Sequence, residues 1–180
     1  MYQINRKIEI DAGHRIKAHA SKCRNLHGHR YSIILTISSQ DLINQGSQTG
    51  MVMDFSLVKD AMKECIESNC DHAIIVDAED NYLIKILDIV ESGNKVQQSQ
   101  TALLVYNSAG MKIYLVPFSP TAEALAKHWY EILSIKISTS FSETNWMIVK
   151  SVRVYETPNC WAEYPAYPKE MSDVQKKLCI

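Results

Sequence analysis

Alternation of apolar and polar positions dominates the first forty residues of the chain. Over residues 3–14 the isoleucines share one parity with His14, while charged and polar residues take the other parity. A second alternating stretch covers residues 27–39 and begins with a His-Gly-His triplet. A period of two is typical of strands with one buried face. The pattern therefore predicts two strands, joined by an irregular basic loop over residues 15–26.

Helical spacing of apolar residues predicts two helices farther along the chain. The first covers residues 55–68, and the second begins near Ser119 and Pro120, a serine N-cap followed by proline at the first helical position. Alternation returns over residues 146–156, which predicts a third strand, and a short fourth strand is expected over residues 161–164. This order of strand, strand, helix, helix, strand, strand predicts an α+β fold.

The stretch from residue 77 to residue 117 fits this order less well. A helix is expected over residues 82–90, followed by a glutamine-rich link. Two apolar runs, residues 101–106 and 112–116, flank an Asn-Ser-Ala-Gly turn and predict a hairpin. We interpret the stretch as an insertion between the two core helices. All 180 residues are then one domain that ends in a tail over residues 165–180.

Composition narrows the class of protein. The chain is 46% hydrophobic and 22% charged, as in folded proteins, and its net charge of −1 provides no general attraction to nucleic acid or to anionic membranes. The N-terminus is charged where a secretory signal would be apolar, and no apolar run approaches the ~20 residues of a membrane helix. Five cysteines without a CxxC pair argue against a disulfide framework. We therefore expect a cytoplasmic protein without a nucleic-acid or membrane partner.

Charge is distributed unevenly near the N-terminus. No acidic residue lies between Asp11 and Asp41, although this window contains four of the six histidines and five basic residues: Arg15, Lys17, Lys22, Arg24 and Arg30. One interpretation is a solvated basic loop, which is the ordinary role of such a run. The other is a local anion site, suited to a phosphorylated small molecule.

The triplet His27-Gly28-His29 is the centre of the candidate chemistry. Residues i and i+2 of a strand point to the same side, so both imidazoles reach one face of the sheet. His14 closes the apolar row of the preceding strand and can supply a third ligand if the two strands are neighbours. Three histidines around an open fourth position are typical of a catalytic zinc site. The alternative is that they only pack or hydrogen-bond, because short motifs of this kind often occur by chance.

Four further residues are candidates for acid–base or binding chemistry. Cys23 lies four residues before His27 among polar neighbours, which favours a reactive thiol over a buried hydrophobic side chain. Asp71 and His72 are a carboxylate and an imidazole in sequence. Glu156 continues the apolar parity of the third strand, and an inward carboxylate would need donors such as two N–H groups of a ligand. A strand that ends there would instead leave this carboxylate in water.

Together these motifs resemble those of the 6-pyruvoyltetrahydropterin synthase and 6-carboxytetrahydropterin synthase family. The similarity runs in order from about residue 4 to about residue 164 and rests on Ala12-Gly13-His14, Cys23 to His29, Gly50 to Phe55, Asp71-His72, Pro120 to Glu123 and Glu156-Thr157. It implies the tunnelling fold (T-fold), a four-stranded antiparallel sheet with two helices inserted between its second and third strands and packed on one face. It also implies a homohexamer of two stacked trimers with active sites at subunit boundaries.

The resemblance also implies a role for each matching residue. Zinc is the implied cofactor, and its ligands are His14, His27 and His29. Cys23 corresponds to the catalytic thiol, and Asp71 and His72 to an acid–base pair that a neighbouring subunit contributes. The pterin pocket is matched by Glu156, which anchors the ring, and by Thr121 and Glu123. The basic loop is the candidate for binding a triphosphate, through Lys22 and Arg24.

Within the family, the spacing of three residues between the cysteine and His-Gly-His resembles bacterial 6-carboxytetrahydropterin synthases of the queuosine pathway. This implies a lyase that converts 7,8-dihydroneopterin triphosphate to 6-carboxy-5,6,7,8-tetrahydropterin, acetaldehyde and triphosphate. A synthase that stops at the pyruvoyl product, a dihydroneopterin aldolase and a non-catalytic pterin- or zinc-binding protein are the alternatives. The insertion over residues 77–117 departs from the short bacterial members, which affects expected subunit contacts more than chemistry.

Overall fold

The computed structural model describes three stretches of the chain. These are residues 1–89, 102–140 and 147–165. Some sequence-based predictions fall outside them: the last residue of the expected insertion helix, the glutamine-rich link, the first residue of the expected hairpin, the first residue of the third strand, and the tail beyond residue 165.

Two long strands form the centre of the sheet. Strand β1 (Tyr2–His14) pairs antiparallel with β2 (His27–Ser39) along its whole length, so that the first residue of β2 lies opposite the last residue of β1. Both ranges match the prediction to within one residue. The match is close because alternation fixes which side chains are buried, and a slip of one residue would expose every isoleucine of the row.

The four predicted strands are neighbours, but they make up only part of the sheet. Strands β6 (Met147–Thr157) and β7 (Cys160–Pro165) continue antiparallel from β2. Three more strands, β3 (Ala73–Asp77), β4 (Leu103–Tyr106) and β5 (Lys112–Val116), give the order β4-β5-β3-β1-β2-β6-β7. Strand β3 pairs parallel with β5 and, over two residues, with β1. The expected four-stranded antiparallel sheet is thus corrected to a seven-stranded mixed sheet.

The insertion explains this correction, because it lengthens the sheet. Its predicted hairpin is present as β4 and β5, closed by Asn107, whose side-chain oxygen accepts the N–H groups of Ala109 and Met111. The expected helix is shorter than predicted and becomes α3 (Asn81–Ile86), which begins after Asp80. A small second core lies between α3 and the added strands and contains Val76, Leu83, Leu87, Ile89, Ile113 and Leu115.

The first core helix changes its winding partway along. Helix α1 (Phe55–Met62) continues through a π-helical segment (Lys63–Glu67) into the short helix α2 (Ser68–Cys70), two residues beyond the predicted end. The Asn69 side chain donates to the carbonyls of Glu64 and Cys65 at 3.1 and 3.0 Å. These bonds supply partners to carbonyl groups of the widened turn, where regular helical bonding is altered.

The second core helix begins later than the sequence predicts. Helix α4 (Ala122–Ser140) has Thr121, rather than Ser119, as its N-cap. The Thr121 carbonyl accepts the N–H of Leu125 at 2.9 Å, and its hydroxyl accepts the N–H of Ala124 at 3.3 Å. Both residue types cap helices well, so local propensity alone does not choose between them.

The main core lies between one face of the sheet and helices α1 and α4. Its fully buried side chains include Ile10, Tyr31, Ile33, Leu35, Met62 and Trp129. Burial of side chains of this size contributes ~1.5–3 kcal/mol each. In the part of the chain that is described, no helix combines the length and the apolar character needed to cross a membrane.

Candidate active site

Three histidines converge at the end of the inner sheet face. The register of β1 and β2 places His14 opposite His27, and His29 follows on the same face. The Nε2 atoms of His14 and His27 are 3.2 Å apart, and one ligand nitrogen from each of the three residues lies within 4.8 Å of the others. The interpretation of the triplet as a shared-face pair with His14 beside it thus agrees with the observed geometry.

Backbone carbonyls orient two of these rings. Nδ1 of His14 donates to the Pro120 carbonyl at 2.7 Å, and Nδ1 of His27 donates to the Asn25 carbonyl at 2.8 Å. A carbonyl only accepts, so each Nδ1 carries the proton and each Nε2 presents a lone pair. This second-shell arrangement is typical of metal-binding histidines. The Pro120 and Asn25 carbonyls gave no signal in the sequence, because any residue has one.

The site fits a zinc ion. Nε2 of His29 is buried and has no hydrogen-bond partner among the described residues, which leaves a third lone pair to be satisfied. Two nitrogen ligands at ~2.0–2.1 Å from zinc and at a tetrahedral angle lie about 3.3–3.4 Å apart, close to the observed 3.2 Å between His14 and His27. Two lone pairs that face each other at this distance repel unless a proton or a cation lies between them.

Burial keeps these histidines in the neutral form that metals bind. Desolvation, together with the neighbouring imidazoles, lowers the pKa of His14 to about 4, although its hydrogen bond to the Pro120 carbonyl acts in the opposite direction. Desolvation also lowers the pKa of His29, with a smaller effect from His27. The His14 ring is only 2% exposed. At neutral pH both rings are therefore ready to bind a cation without first releasing a proton.

Gly28 is required by the close approach of the two strands. A Cβ atom at this position would lie 3.1 Å from the carbonyl oxygen of Ala12 on β1, tighter than ordinary contacts. Any other residue would push β1 and β2 apart between two of the three histidines. The glycine therefore keeps His14 within reach of its partners on β2.

Glu156 faces the histidines from β6. Its Oε1 atom lies 3.9 Å from Nε2 of His14, and its side chain is 28% exposed. Burial raises the pKa of Glu156, the negative charge of Glu123 raises it further, and His27 lowers it. The carboxylate therefore points inward, as its parity on the strand predicts, rather than into water. Thr121 caps α4 nearby in sequence to Glu123, which is exposed on the first turn of that helix.

Tyr31 lies on the same inner face and was not assigned a role from the sequence. Its ring is edge-on to those of His29 and His14, with centroids 5.5 and 5.8 Å apart. The residue is completely buried, and its hydroxyl has no partner among the described residues. The signal that could have identified it is its position, because it continues the row of His27 and His29 on β2.

Cys23 lies on the loop that joins the first two histidines. It occupies a short 3₁₀ turn (Lys22–Arg24) and is half-buried. The N–H of Ile16 donates to the Cys23 carbonyl at 2.8 Å, so the two halves of the loop are tied together. The thiol is not part of the three-histidine cluster.

The basic loop is partly neutralised by the insertion. Arg15 forms a two-pronged ion pair with the buried Asp80, and Lys17 lies 3.0 Å from Asp77 and 3.2 Å from Glu79. Arg30 is paired with Asp11. The expectation of five available cations is therefore wrong for three of them, since their partners come from the other strand or from the insertion.

Lys22 and Arg24 are the remaining cations of the loop, and neither forms an ion pair within the described residues. Arg24 lines a cavity of about 510 Å³ between the loop and α3, together with Arg15, Asn25, Leu26, Tyr82, Leu83 and Ile86. The positive charge that remains available is therefore concentrated beside the turn that carries Cys23.

Asp71 and His72 form an ion pair away from the histidine cluster. Nδ1 of His72 lies 2.9 Å from the Asp71 carboxylate, which also accepts the backbone N–H of Asp11 at 3.0 Å. Burial acts to raise the pKa of Asp71, but these two hydrogen bonds outweigh it and the pKa is lowered. The His72 side chain is 78% exposed, on the side of β1 where Asp11 and Arg30 lie and opposite to His14. Within one chain the structure therefore does not bring this pair to the three histidines.

The fold and the histidine cluster define a class: a T-fold protein with a site able to bind a metal ion. Comparisons agree with this class. The family model described as 6-pyruvoyl tetrahydropterin synthase matches residues 3–166. The crystal structure of 6-pyruvoyl tetrahydropterin synthase from Plasmodium vivax is 18% identical, with a TM-score of 0.56, and the alignment covers 91% of this chain and 98% of that one. An uncharacterized protein from Wolinella succinogenes is 25% identical, with a TM-score of 0.68, over 92% of this chain and 98% of that one.

Curated relatives provide higher identity over the same length. The chain is 37% identical over 163 residues to the 6-carboxy-5,6,7,8-tetrahydropterin synthase of Rickettsia conorii, and the alignment covers 91% of this chain and 99% of that protein. It is 33% identical to the enzyme of the same name from Haemophilus influenzae, with the same coverage. This protein belongs to the 6-pyruvoyl tetrahydropterin synthase family.

Proposed function

We propose that this protein is a zinc-dependent 6-carboxytetrahydropterin synthase, a cytoplasmic lyase of the pathway that leads to queuosine and other 7-deazapurines. It would convert 7,8-dihydroneopterin triphosphate to 6-carboxy-5,6,7,8-tetrahydropterin, acetaldehyde and triphosphate. The observation that carries the proposal is the meeting of three histidine lone pairs with the Glu156 carboxylate, 3.9 Å from His14, on one sheet face. The names of the curated relatives favour the carboxy product over the pyruvoyl product.

His14, His27 and His29 would hold the zinc ion through Nε2 of His14 and His27 and a nitrogen of His29. When bound, zinc would act as a Lewis acid toward the oxygens of the substrate side chain. The hydrogen bonds of two rings to backbone carbonyls fix the ring orientation before any metal arrives.

Glu156 would bind the pterin ring by accepting two N–H groups of its guanidine-like edge. Its half-buried position makes such bonds stronger than they would be in water, because fewer solvent dipoles compete with them. Thr121 and Glu123, at the start of α4, would form the adjoining wall of the pterin pocket. The raised pKa of Glu156 records the absence of a donor from the chain itself and agrees with a donor supplied by the ligand.

Cys23 would act as the base that removes a proton from the substrate side chain, and Lys22 and Arg24 would bind the triphosphate. Two observations support these roles. The loop places the thiol one residue from both cations, and those cations are free of ion pairs within the described residues while Arg15 and Lys17 are paired. A cationic neighbourhood also favours the thiolate over the thiol.

Asp71 and His72 would complete the site of a neighbouring subunit in a hexamer. Their position on the face of β1 opposite to His14 supports this role, because one chain cannot bring the two groups together. An edge for assembly is also available. In the described part of the chain, β1 pairs with β3 only at Ala12 and Gly13, so most of that edge of β1 presents unpaired backbone groups.

Product analysis tests the proposed reaction. The zinc-loaded protein would be incubated with 7,8-dihydroneopterin triphosphate, and the pterin and the released aldehyde identified by mass. We expect 6-carboxy-5,6,7,8-tetrahydropterin and one equivalent of acetaldehyde. A pyruvoyl pterin without acetaldehyde would assign the protein to the pyruvoyl synthases instead. Binding of the pterin with no turnover by a fully metal-loaded, hexameric sample would contradict an enzymatic role.

A further inference from the structure

Tyr31 is the fully buried polar residue nearest to the candidate metal ligands along β2. The register of β2 and β6 pairs Ser32 with Tyr155, so Tyr31 and Glu156 are the next residues along the two strands and share the inner face. Its ring lies against His14 and His29 on one side and against Trp129 of α4 on the other, 6.5 Å between ring centroids. Tyr31 thus lies at the floor of the space that the histidines and Glu156 surround.

The hydroxyl of Tyr31 has no hydrogen-bond partner within the described residues, although the side chain is completely buried. A buried hydroxyl without a partner is unfavourable, and phenylalanine would fill the same volume without this cost. Tyr114 shows the ordinary solution in this same fold. It is nearly as buried, and its hydroxyl lies 2.7 Å from Nε2 of His128. The Tyr31 hydroxyl is therefore best explained by a partner that is not part of the chain.

The chemistry of the surrounding groups indicates which kind of partner this is. The Nε2 atoms of His14 and His27 present lone pairs, and the Glu156 carboxylate accepts hydrogen bonds. Among the groups on this face, the Tyr31 hydroxyl is the donor. A ligand held there needs donors for Glu156 and, at another atom, an acceptor for Tyr31. A pterin ring carries both kinds of group, and so does its hydroxylated side chain.

We propose that Tyr31 is a ligand-binding residue whose hydroxyl donates a hydrogen bond to an acceptor atom of the bound pterin. This assignment rests on the proposed function and extends it. It also predicts that replacement of Tyr31 separates two properties that usually change together, because the hydroxyl contributes to ligand affinity and contributes nothing favourable to the ligand-free fold.

The test compares Tyr31→Phe with Tyr114→Phe in zinc-loaded protein, using pterin and neopterin, both without phosphate, as calorimetric probes. We expect Tyr31→Phe to keep its zinc content and to have a ligand-free Tm equal to or above that of the wild type. Its affinity should fall by about three- to tenfold, the size of one net hydrogen bond. Tyr114→Phe should show the reverse, with unchanged affinity and a Tm lower by about 2–4 °C.

Each outcome decides a separate question. Loss of affinity for both probes would place the contact on the ring, and loss for neopterin alone would place it on the side-chain oxygens; either result supports the proposal. Unchanged affinity of Tyr31→Phe for both probes, with normal binding by the wild type, would overturn the role of Tyr31 and leave the proposed function intact. A lowered Tm in Tyr31→Phe would also overturn it, since the hydroxyl would then have a partner in the chain. Failure of the wild type to bind either probe would overturn the proposed function together with this assignment.

Discussion

Two regions of this fold place a buried tyrosine beside a histidine, and they differ in hydrogen bonding. In the pair between β5 and α4, the Tyr114 hydroxyl and Nε2 of His128 are 2.7 Å apart, so each satisfies the other. At the end of β2, the hydroxyl of Tyr31 and Nε2 of His29 are both buried without a partner among the described residues. A buried polar atom that lacks a partner costs about 1–3 kcal/mol. The comparison shows that similar residues stabilise the fold in one region and leave free energy available for a ligand in the other.

Metal binding is where the two regions should differ most. We expect His27→Ala and His29→Ala to lose more than about 100-fold in zinc affinity and all measurable turnover, since loss of a direct ligand exceeds the 10–100-fold effect of a second-shell change. His128→Ala should keep one zinc per chain and lose stability instead. Metal analysis and thermal unfolding of the purified variants measure both properties. Full zinc occupancy in both His27→Ala and His29→Ala would refute the ligand assignment.

Two half-buried cysteines extend the comparison to the thiol. Cys23→Ala should fold, retain zinc and bind pterin, while its turnover falls by ~10²–10⁴-fold, the usual effect of removing a general base. Cys65, which packs against the main core on the π-helical segment, is the matched control, and Cys65→Ala should keep the native rate. Steady-state rates on the triphosphate substrate decide the matter. Near-native turnover of Cys23→Ala would exclude this thiol as the base.

Glu156 tests whether the ligand completes the hydrogen bonds of the site. Glu156→Gln replaces a two-site acceptor by an amide with one acceptor and one mismatched donor, so affinity for an unphosphorylated pterin should fall by at least about tenfold. Zinc content and oligomeric state should not change. Glu131→Gln, on the exposed surface of α4, is the control and should bind like the wild type. Unchanged calorimetric affinity in Glu156→Gln would move the anchor to Thr121 or Glu123.

The smallest expected effect concerns the pair that is already satisfied. Burial lowers the pKa of His128 below its usual 6.5, and the charge of Glu131 offsets this only in part. The unfolded chain therefore takes up a proton first as the pH falls below about 6.5, and stability is lost from that pH downward. His128→Gln, which keeps an acceptor for Tyr114, should show a shallower fall of Tm between pH 6.5 and 5. Equal slopes in wild type and variant would show that His128 does not titrate in this range.

Local pattern was sufficient for much of the fold. The two long strands were predicted to within one residue because alternation is a property of the segment itself. The start of α4 was predicted two residues early, because Ser119 and Thr121 are both good caps and packing chooses between them. Strand β3 (Ala73–Asp77) was missed, since five mostly apolar residues carry no period and the pairing is with distant parts of the chain.

The candidate site divides in the same way. The shared face of the histidines and the inward direction of Glu156 follow from strand parity, which the sequence displays. The ion pairs of Arg15 and Lys17 join residues about sixty positions apart, so the sequence could not show that these two cations are neutralised. The unpartnered hydroxyl of Tyr31 is likewise a property of three-dimensional packing, because only the complete set of neighbours shows that a partner is missing.

The ion pairs between the loop and the insertion have a consequence for the mobility of the thiol. A loop of residues 15–26 fixed only at its ends would sample many backbone conformations, and ordering each residue costs ~1–2 kcal/mol in entropy. Arg15 and Lys17 hold the start of the loop against the insertion, and the bond from Ile16 to the Cys23 carbonyl passes this restraint to the reactive turn. The entropy of ordering the thiol is thus spent during folding rather than during each catalytic cycle. Shortening the insertion, a change that touches no candidate ligand, would return that cost to the reaction step.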